Sequence, residues 1–146
     1  MPRPGIVQPS PKVIALARRI VEHEAGGSDP SATGAAVETA CRRLKDHLVD
    51  VLGTGGVSAV LGRALHLAQR EQPVLEQVSV SGQPGVCFIG LAESLPANTP
   101  EEGTAAATAV LAHTLDLLII LLGEELGMKP VQKLWPGEAS VKETVE

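Results

Sequence analysis

The chain has 146 residues and a net charge of −5, and its apolar side chains are aliphatic, with one Phe, one Trp and no Tyr. This length fits a single domain that buries a core of its own. The scarcity of aromatic side chains and the acidic charge argue against nucleic-acid binding, which uses stacking platforms and a basic surface.

Cysteine usage and the N-terminal sequence indicate a reducing, cytoplasmic setting. Cys41 and Cys87 lie far apart, form no CxxC pair and are too few for a disulfide framework. The first nine residues contain three prolines and no apolar stretch of signal-peptide length. We expect residues 1–9 to be disordered, residues 10–136 to form one domain, and residues 137–146 to form a flexible tail.

Three helices are predicted in the first half of the chain. The first begins at Ser10 and Pro11, because serine caps a helix and proline suits its first position. The second has an apolar stripe and an opposite wet face. The stripe consists of Val37, Ala40, Cys41, Leu44, Leu48, Val51 and Leu52. After a turn at residues 53–56, the third helix runs to about Arg70.

The glycine-rich segment VLGTGGVSAVLG at residues 51–62 has two interpretations. It resembles the strand–GxGG–helix turn of nicotinamide-dependent alcohol dehydrogenases. That motif needs flanking strands and an acidic residue about 20 positions later. The residues before this segment continue a helical stripe, so a turn between two helices explains the same glycines.

Residues 74–98 are ambiguous between a short hairpin and an irregular connection. The sequence TPEE at residues 99–102 then predicts a helix start with an N-cap, a first-position proline and a capping box. This fourth helix is expected to end near Gly127, and a short fifth helix to extend from Pro130 through Trp135.

Residues 105–122 have the length of a membrane span. Asp116 lies near their centre and costs about 3 kcal/mol of insertion free energy, which cancels most of the gain from the aliphatic side chains. We therefore expect a buried core helix and no membrane association.

These elements predict an all-α fold. It is an antiparallel bundle of four main helices, with a short fifth helix and a small hairpin or irregular insert at residues 74–98. The fourth helix is apolar on nearly every side, and three other helices cover it only partly. The excess predicts a homodimer. Its expected interface residues are Leu117, Ile120, Leu121 and Trp135.

Three polar residues of the fourth helix form the best candidate ligand site. His113 and Asp116 lie on one face, and Glu124 lies close to the same line two turns later. Metal sites in bundles usually take ExxH pairs from facing helices, whereas this chain has a single HxxD. We assign no metal ligand, catalytic residue or cofactor, and the alternative is a polar seam in which His113 and Asp116 pair with each other.

Three other polar or sulfur-containing side chains receive simpler interpretations. Cys41 is expected to be a small buried apolar residue because it lies on the stripe of the second helix. Cys87 is expected to be partly exposed in a loop. His66 lies between two arginines on a polar helix face and is expected at the surface.

Three segments carry a family resemblance: GGVSAVLGRALHLAQREQPVLEQV, GLAESL and LAHTLDLLIILLGEELGMKPVQKLWP. They resemble an uncharacterised family of small bacterial helical proteins with an LxRALxLA helix, a Leu-rich last long helix entering a GE-L pattern, and a closing Trp-Pro. The resemblance covers about residues 48–136. It implies a helical fold and brings no activity, cofactor or catalytic residue.

Three classes of function follow from these observations. The first is a non-enzymatic, dimeric interaction or regulatory module, which fits the absence of catalytic residue spacing. The second is a small-molecule-binding bundle with a pocket near His113 and Asp116. The third is a metal-assisted enzyme, which requires these residues and Glu124 to converge with another histidine or carboxylate.

Overall fold

The computed structural model describes residues 9–25, 32–81, 87–91 and 100–137. Its helices are α1 (Pro11–Ala25), α2 (Ala32–Glu71), α3 (Pro100–Leu122) and α4 (Glu124–Leu134). Between α2 and α3 lie a 3-10 turn (Pro73–Leu75) and two strands, β1 (Ser79–Val80) and β2 (Phe88–Ile89). The predicted all-α fold is confirmed. The predictions for residues 1–8 and 138–146 lie outside the described residues.

Helix α1 begins where the sequence predicts. The hydroxyl of Ser10 accepts a hydrogen bond from the backbone N–H of Val13 at 3.3 Å, and the carbonyl of Ser10 accepts one from Ile14 at 3.0 Å. The first bond satisfies an N–H group that the first turn leaves without a helical partner, and the second is the first backbone bond of the helix. Pro9, which we placed in the disordered N-terminus, is buried against the bundle.

Helix α2 bends sharply at Gly53, whose φ of 76° and ψ of 163° suit glycine alone. Before the bend, Cys41 lies at Thr114 of α3 and Val51 lies beside Leu122, so the chain runs toward the end of α3. After the bend, Glu71 reaches His113, nine positions before Leu122. The chain therefore reverses along α3 at Gly53. Both sides of the bend are helical, so the interpretation as a helix–helix turn is confirmed and the dinucleotide motif is not formed.

A second glycine reversal separates α3 from α4. Gly123 has a φ of 88°, and it ends α3 at Leu122 rather than near Gly127 as expected. A Cβ on Gly127 would lie 2.9 Å from the backbone of Leu118 and Ile119. The bare glycine therefore lets α4 pack closely against α3. Because the reversal lies at Gly123, α4 begins at Glu124 and not at the predicted Pro130.

Helix α3 forms the centre of the core and contacts α1, α2 and α4. By length and composition, Glu102–Leu122 and Thr33–Glu71 are each apolar enough to cross a membrane. The first has 56% of its most apolar window buried inside the protein, and the second contains the reversal at Gly53. Both features are those of helices in a packed bundle.

The insert between α2 and α3 contains the hairpin that was one of the two expectations. Strands β1 and β2 pair antiparallel, with Val80 opposite Phe88. The side-chain amide of Gln69 donates to the carbonyls of Leu75 and Val78, at 3.0 and 2.9 Å. The carboxylate of Glu38 accepts the backbone N–H groups that begin β2, at 2.7 and 3.0 Å. Helix α2 thus anchors the hairpin from both of its halves, which a two-stranded unit requires.

Candidate functional site

A cleft of about 300 Å³ lies between α1, the last residues of α2 and the first half of α3. This volume is at the lower end of the range for small-molecule sites. The cleft is lined by Pro9, Ile14, Arg18, Glu71, Gln72, Ala105, Thr108, Ala109, Ala112 and His113.

Small side chains on α3 create the space. Ala105, Ala109 and Ala112 follow one another at helical spacings of four and three residues, so they share one face of the helix. Methyl groups at these positions leave a shallow floor, where the larger leucines elsewhere on α3 would fill the cleft. The apolar Ile14 of α1 forms part of the opposite wall.

A histidine–carboxylate pair closes one end of the cleft. Nε2 of His113 lies 3.1 Å from Oε2 of Glu71. The imidazole is 1% exposed and the carboxylate 36% exposed. A carboxylate only accepts hydrogen bonds, so this contact requires a proton on Nε2 and makes Nδ1 of a neutral imidazole an acceptor.

Two buried polar atoms of the cleft residues have no hydrogen-bond partner among the described residues: Nδ1 of His113 and Oγ1 of Thr108. The buried Thr114 differs, since its hydroxyl donates to the carbonyl of Val110 at 2.8 Å. An unsatisfied buried polar group costs about 1–3 kcal/mol of stability. Each of the two atoms is enclosed by protein, although its residue lines the cleft.

Opposite charges stand on the two sides of the cleft. Arg18 of α1 makes an exposed ion pair with Glu22, with 3.4 Å between Nε and Oε2. Glu71 of α2 faces His113. Because an exposed ion pair of this kind contributes at most about 1 kcal/mol, the Arg18 guanidinium can turn to another anion at little cost.

Of the three predicted ligand-site residues, His113 lines the cleft, whereas Asp116 and Glu124 do not. His113 acts electrostatically on Asp116, but its hydrogen bond goes to Glu71. The pairing of His113 with Asp116 in a polar seam is therefore replaced by a pair between helices. Burial raises the pKa of Asp116, and the nearby His113 opposes that shift. Glu124 lies beyond the Gly123 reversal, is exposed and does not line the cleft.

Glu71 is the site residue that sequence reasoning missed. It is the last residue of α2, where a glutamate reads as an ordinary exposed helix end. Its contact with His113 joins positions 42 residues apart. Only the reversal at Gly53 sets that register, and no local pattern reports it.

The residues predicted for a dimer interface fall in two environments. Ile120 and Leu121 are each 59% exposed, and Leu117 is half-buried. Trp135 is 2% exposed and packs inside the chain, so this conformation does not offer it to a partner. The exposed members of the predicted interface therefore lie in the last turns of α3.

Both cysteines are free and buried. Burial raises the pKa of the Cys41 thiol well above its usual value, with smaller contributions from Cys87 and Glu38. Burial, with the negative charge of Glu38, raises the pKa of Cys87 to about 12. The expectation of a buried Cys41 is confirmed. The expectation of a partly exposed Cys87 is wrong, because the hairpin packs it against α2.

Within the described ranges, no group of three or more His, Cys, Asp or Glu side chains is arranged to hold a metal ion. His113, Asp116 and Glu124 do not converge with a further ligand there.

Comparison with protein-family models, curated proteins and solved structures gave no match to this chain.

Proposed function

We propose that this protein is a small-molecule-binding helical bundle whose ligand occupies the cleft beside His113. The observation that carries the proposal is the space that the alanines of α3 leave beside the His113–Glu71 pair, with the Arg18 guanidinium in the same lining. Binding sites combine apolar walls with a few converging polar groups, and this cleft has both.

The lining suggests the class of ligand. The alanine floor accepts a compact apolar or planar body, and the Gln72 amide in the lining favours a hydrogen-bonding group on that body. Arg18 on one side and Glu71 on the other favour a ligand with an acceptor and a donor at opposite ends. We therefore expect a small, polar, largely uncharged or zwitterionic molecule.

A screen of a small-molecule library by ligand-observed NMR tests this proposal. Ala105→Leu fills the cleft from an exposed position on α3, so it need not disturb the core. Ala59→Leu is the matched control, since Ala59 is an exposed helical alanine that does not line the cleft. The proposal expects hits that bind the wild type and Ala59→Leu but not Ala105→Leu. Hits that bind all three proteins equally, or no hits, would contradict it.

A second candidate is the dimeric interaction module, and the exposed end of α3 favours it. Ile120 and Leu121 are two large apolar side chains exposed side by side. Such patches often mark association surfaces. Ligand binding and dimer formation use different surfaces here, so one protein can do both. The two free thiols suit a reducing cytoplasm, where we propose that it acts.

Sedimentation velocity distinguishes the dimer from a monomer. Replacement of both Ile120 and Leu121 by serine is expected to convert a wild-type dimer into a monomer. Ile89→Ser is the control, because Ile89 is a comparably exposed apolar residue, at 55%, on the hairpin. A wild-type monomer at all concentrations would remove this second function and leave the cleft proposal untouched.

A further inference from the structure

A groove of about 270 Å³ lies where α4 packs against the first half of α2 and the end of α3, and it shares no lining residue with the cleft. Its walls are aliphatic. Val51 is 66% exposed and Leu126 is 54% exposed, while Leu48 and Pro130 form a buried floor. Val51 belongs to the apolar stripe that the sequence assigns to the inner face of the second helix, yet its side chain is exposed to solvent.

The rim of this groove is cationic. Lys129 and Lys133 lie four residues apart on α4, so they share one helix face. Neither forms an ion pair with another described residue. In addition, Nε2 of His47 is buried at the groove and has no partner within the described part of the chain. No carboxylate is found among the described side chains that line it.

We propose that this groove binds one molecule of an amphiphilic carboxylate, a medium-chain fatty-acid-like anion. The carboxylate accepts charge-assisted hydrogen bonds from the ammonium groups of Lys129 and Lys133. The alkyl chain lies along Val51, Leu126 and Leu122 and removes their exposed apolar surface from water.

The surrounding charges favour a single bound molecule over an anionic membrane surface. Asp50, Glu124 and Glu125 are exposed and lie next to the groove residues in the chain. A negatively charged bilayer against this end would meet these carboxylates and be repelled. A small amphiphile within the groove meets only the lysines, the histidine and the aliphatic wall.

Titration with decanoate, below its micelle-forming concentration, tests the proposal on the full chain. Binding is followed by calorimetry and by ¹H–¹⁵N NMR shifts. We expect saturable binding of one decanoate, with shifts concentrated in residues 47–51 and 122–133. Acetate, which lacks the chain, and decyltrimethylammonium, which reverses the charge, are expected to bind at least tenfold more weakly.

Charge-removing variants connect this binding to the rim. Lys129→Gln and Lys133→Gln are each expected to weaken decanoate binding about tenfold, which corresponds to about 1.4 kcal/mol. Lys12→Gln removes an exposed lysine of α1 that is not in the groove and is expected to leave the affinity unchanged.

Four results would overturn the proposal. They are no saturable decanoate binding, equal binding of decyltrimethylammonium, shifts confined to other parts of the chain, and binding to anionic vesicles without binding to decanoate. A wild-type dimer that Val51→Ser dissociates, together with no decanoate binding, would assign the groove to a second copy of the chain. None of these outcomes bears on the cleft beside His113, so the two proposals fail independently.

Discussion

The indole nitrogen of Trp135 donates a 2.7 Å hydrogen bond to Oε2 of Glu24, which lies 111 residues earlier in the chain. Arg43 of α2 reaches the same oxygen, and its guanidinium carbon lies 5.4 Å from the centre of the Trp135 ring. The Glu24 side chain is 11% exposed. One largely buried carboxylate therefore joins the ends of α1 and α4 to the first half of α2.

Removal of this carboxylate is expected to destabilise the protein. Glu24→Ala leaves the Trp135 indole and the Arg43 guanidinium without their acceptor, which costs about 1–3 kcal/mol of unfolding free energy. Urea unfolding followed by the fluorescence of Trp135, the one tryptophan of the chain, measures this cost. Glu22→Ala is the control on the same helix, since Glu22 is 60% exposed and pairs with Arg18 at the surface. Equal costs for the two variants would show that the junction contributes nothing.

A Cβ at Gly127 is expected to push α4 away from α3. The added carbon of Gly127→Ala would lie 2.9 Å from backbone atoms, which cannot move aside as a side chain does. Overpacking of this kind costs about 1–3 kcal/mol. Gly55→Ala is the matched control, because its Cβ meets nothing within 4 Å, and it is expected to stabilise the helix by about 0.5–1 kcal/mol. Thermal unfolding of both variants tests this prediction through their melting temperatures. A Gly127→Ala variant that melts higher than the wild type would contradict the close packing of α4.

Both thiols are expected to be unreactive in the folded protein. With a pKa of about 12, the Cys87 thiolate is present in about 10⁻⁴ of molecules at pH 8, and burial shields both sulfur atoms from reagents. Titration with a chromogenic disulfide at pH 8 should detect no thiol in the native protein and two after unfolding. Rapid modification of one thiol under native conditions would place the hairpin away from α2.

Asp116 is expected to reduce stability at neutral pH. Burial raises its pKa above the usual 3.8, so the folded chain retains a proton that the unfolded chain releases. The stability that this bound proton contributes is fully present at pH values below the pKa of the unfolded chain. It is lost as the pH rises through the higher pKa of the folded chain. Asp116→Asn stays neutral at every pH and should therefore melt higher than the wild type at pH 7.

The difference in melting temperature between Asp116→Asn and the wild type should shrink as the pH falls toward 3.8 and below, because the folded wild-type carboxyl has then gained its proton. Asp50→Asn is the control for the change of side chain, because Asp50 is exposed on α2. A difference that is constant with pH would mean that Asp116 is well solvated.

The local elements of this fold are readable from the sequence because they depend on neighbouring residues. Ser10 and Pro11 start α1, Gly53 interrupts the helical stripe, and Pro100 takes the first position of α3, while the predicted cap at Thr99 lies outside the described residues. The end of α3 is misplaced by about one turn, since two glycines compete there. Gly123 makes the reversal and Gly127 makes the close contact, and only the backbone conformation tells which glycine does which.

The candidate site is readable only in part, because it depends on which helices meet. His113 stands out as a histidine in an apolar helix, which is why the sequence identifies it. Its partner Glu71 and the neighbouring Arg18 come from other helices whose register no local pattern reports. The prediction of Trp135 as an interface residue lacked the same information, because the sequence does not show that its indole bonds to Glu24 of another helix.

The most direct test of the cleft is ¹H–¹⁵N NMR of the wild-type protein titrated with the strongest hit of the small-molecule screen. If the ligand occupies the cleft, saturable shifts are expected at residues 71–72 and 105–113. The indole signal of Trp135 is expected to stay unchanged, because Trp135 lies outside the cleft lining. Shifts that avoid those residues, or that persist undiminished in Ala105→Leu, would contradict the assignment of the His113 cleft as the ligand site.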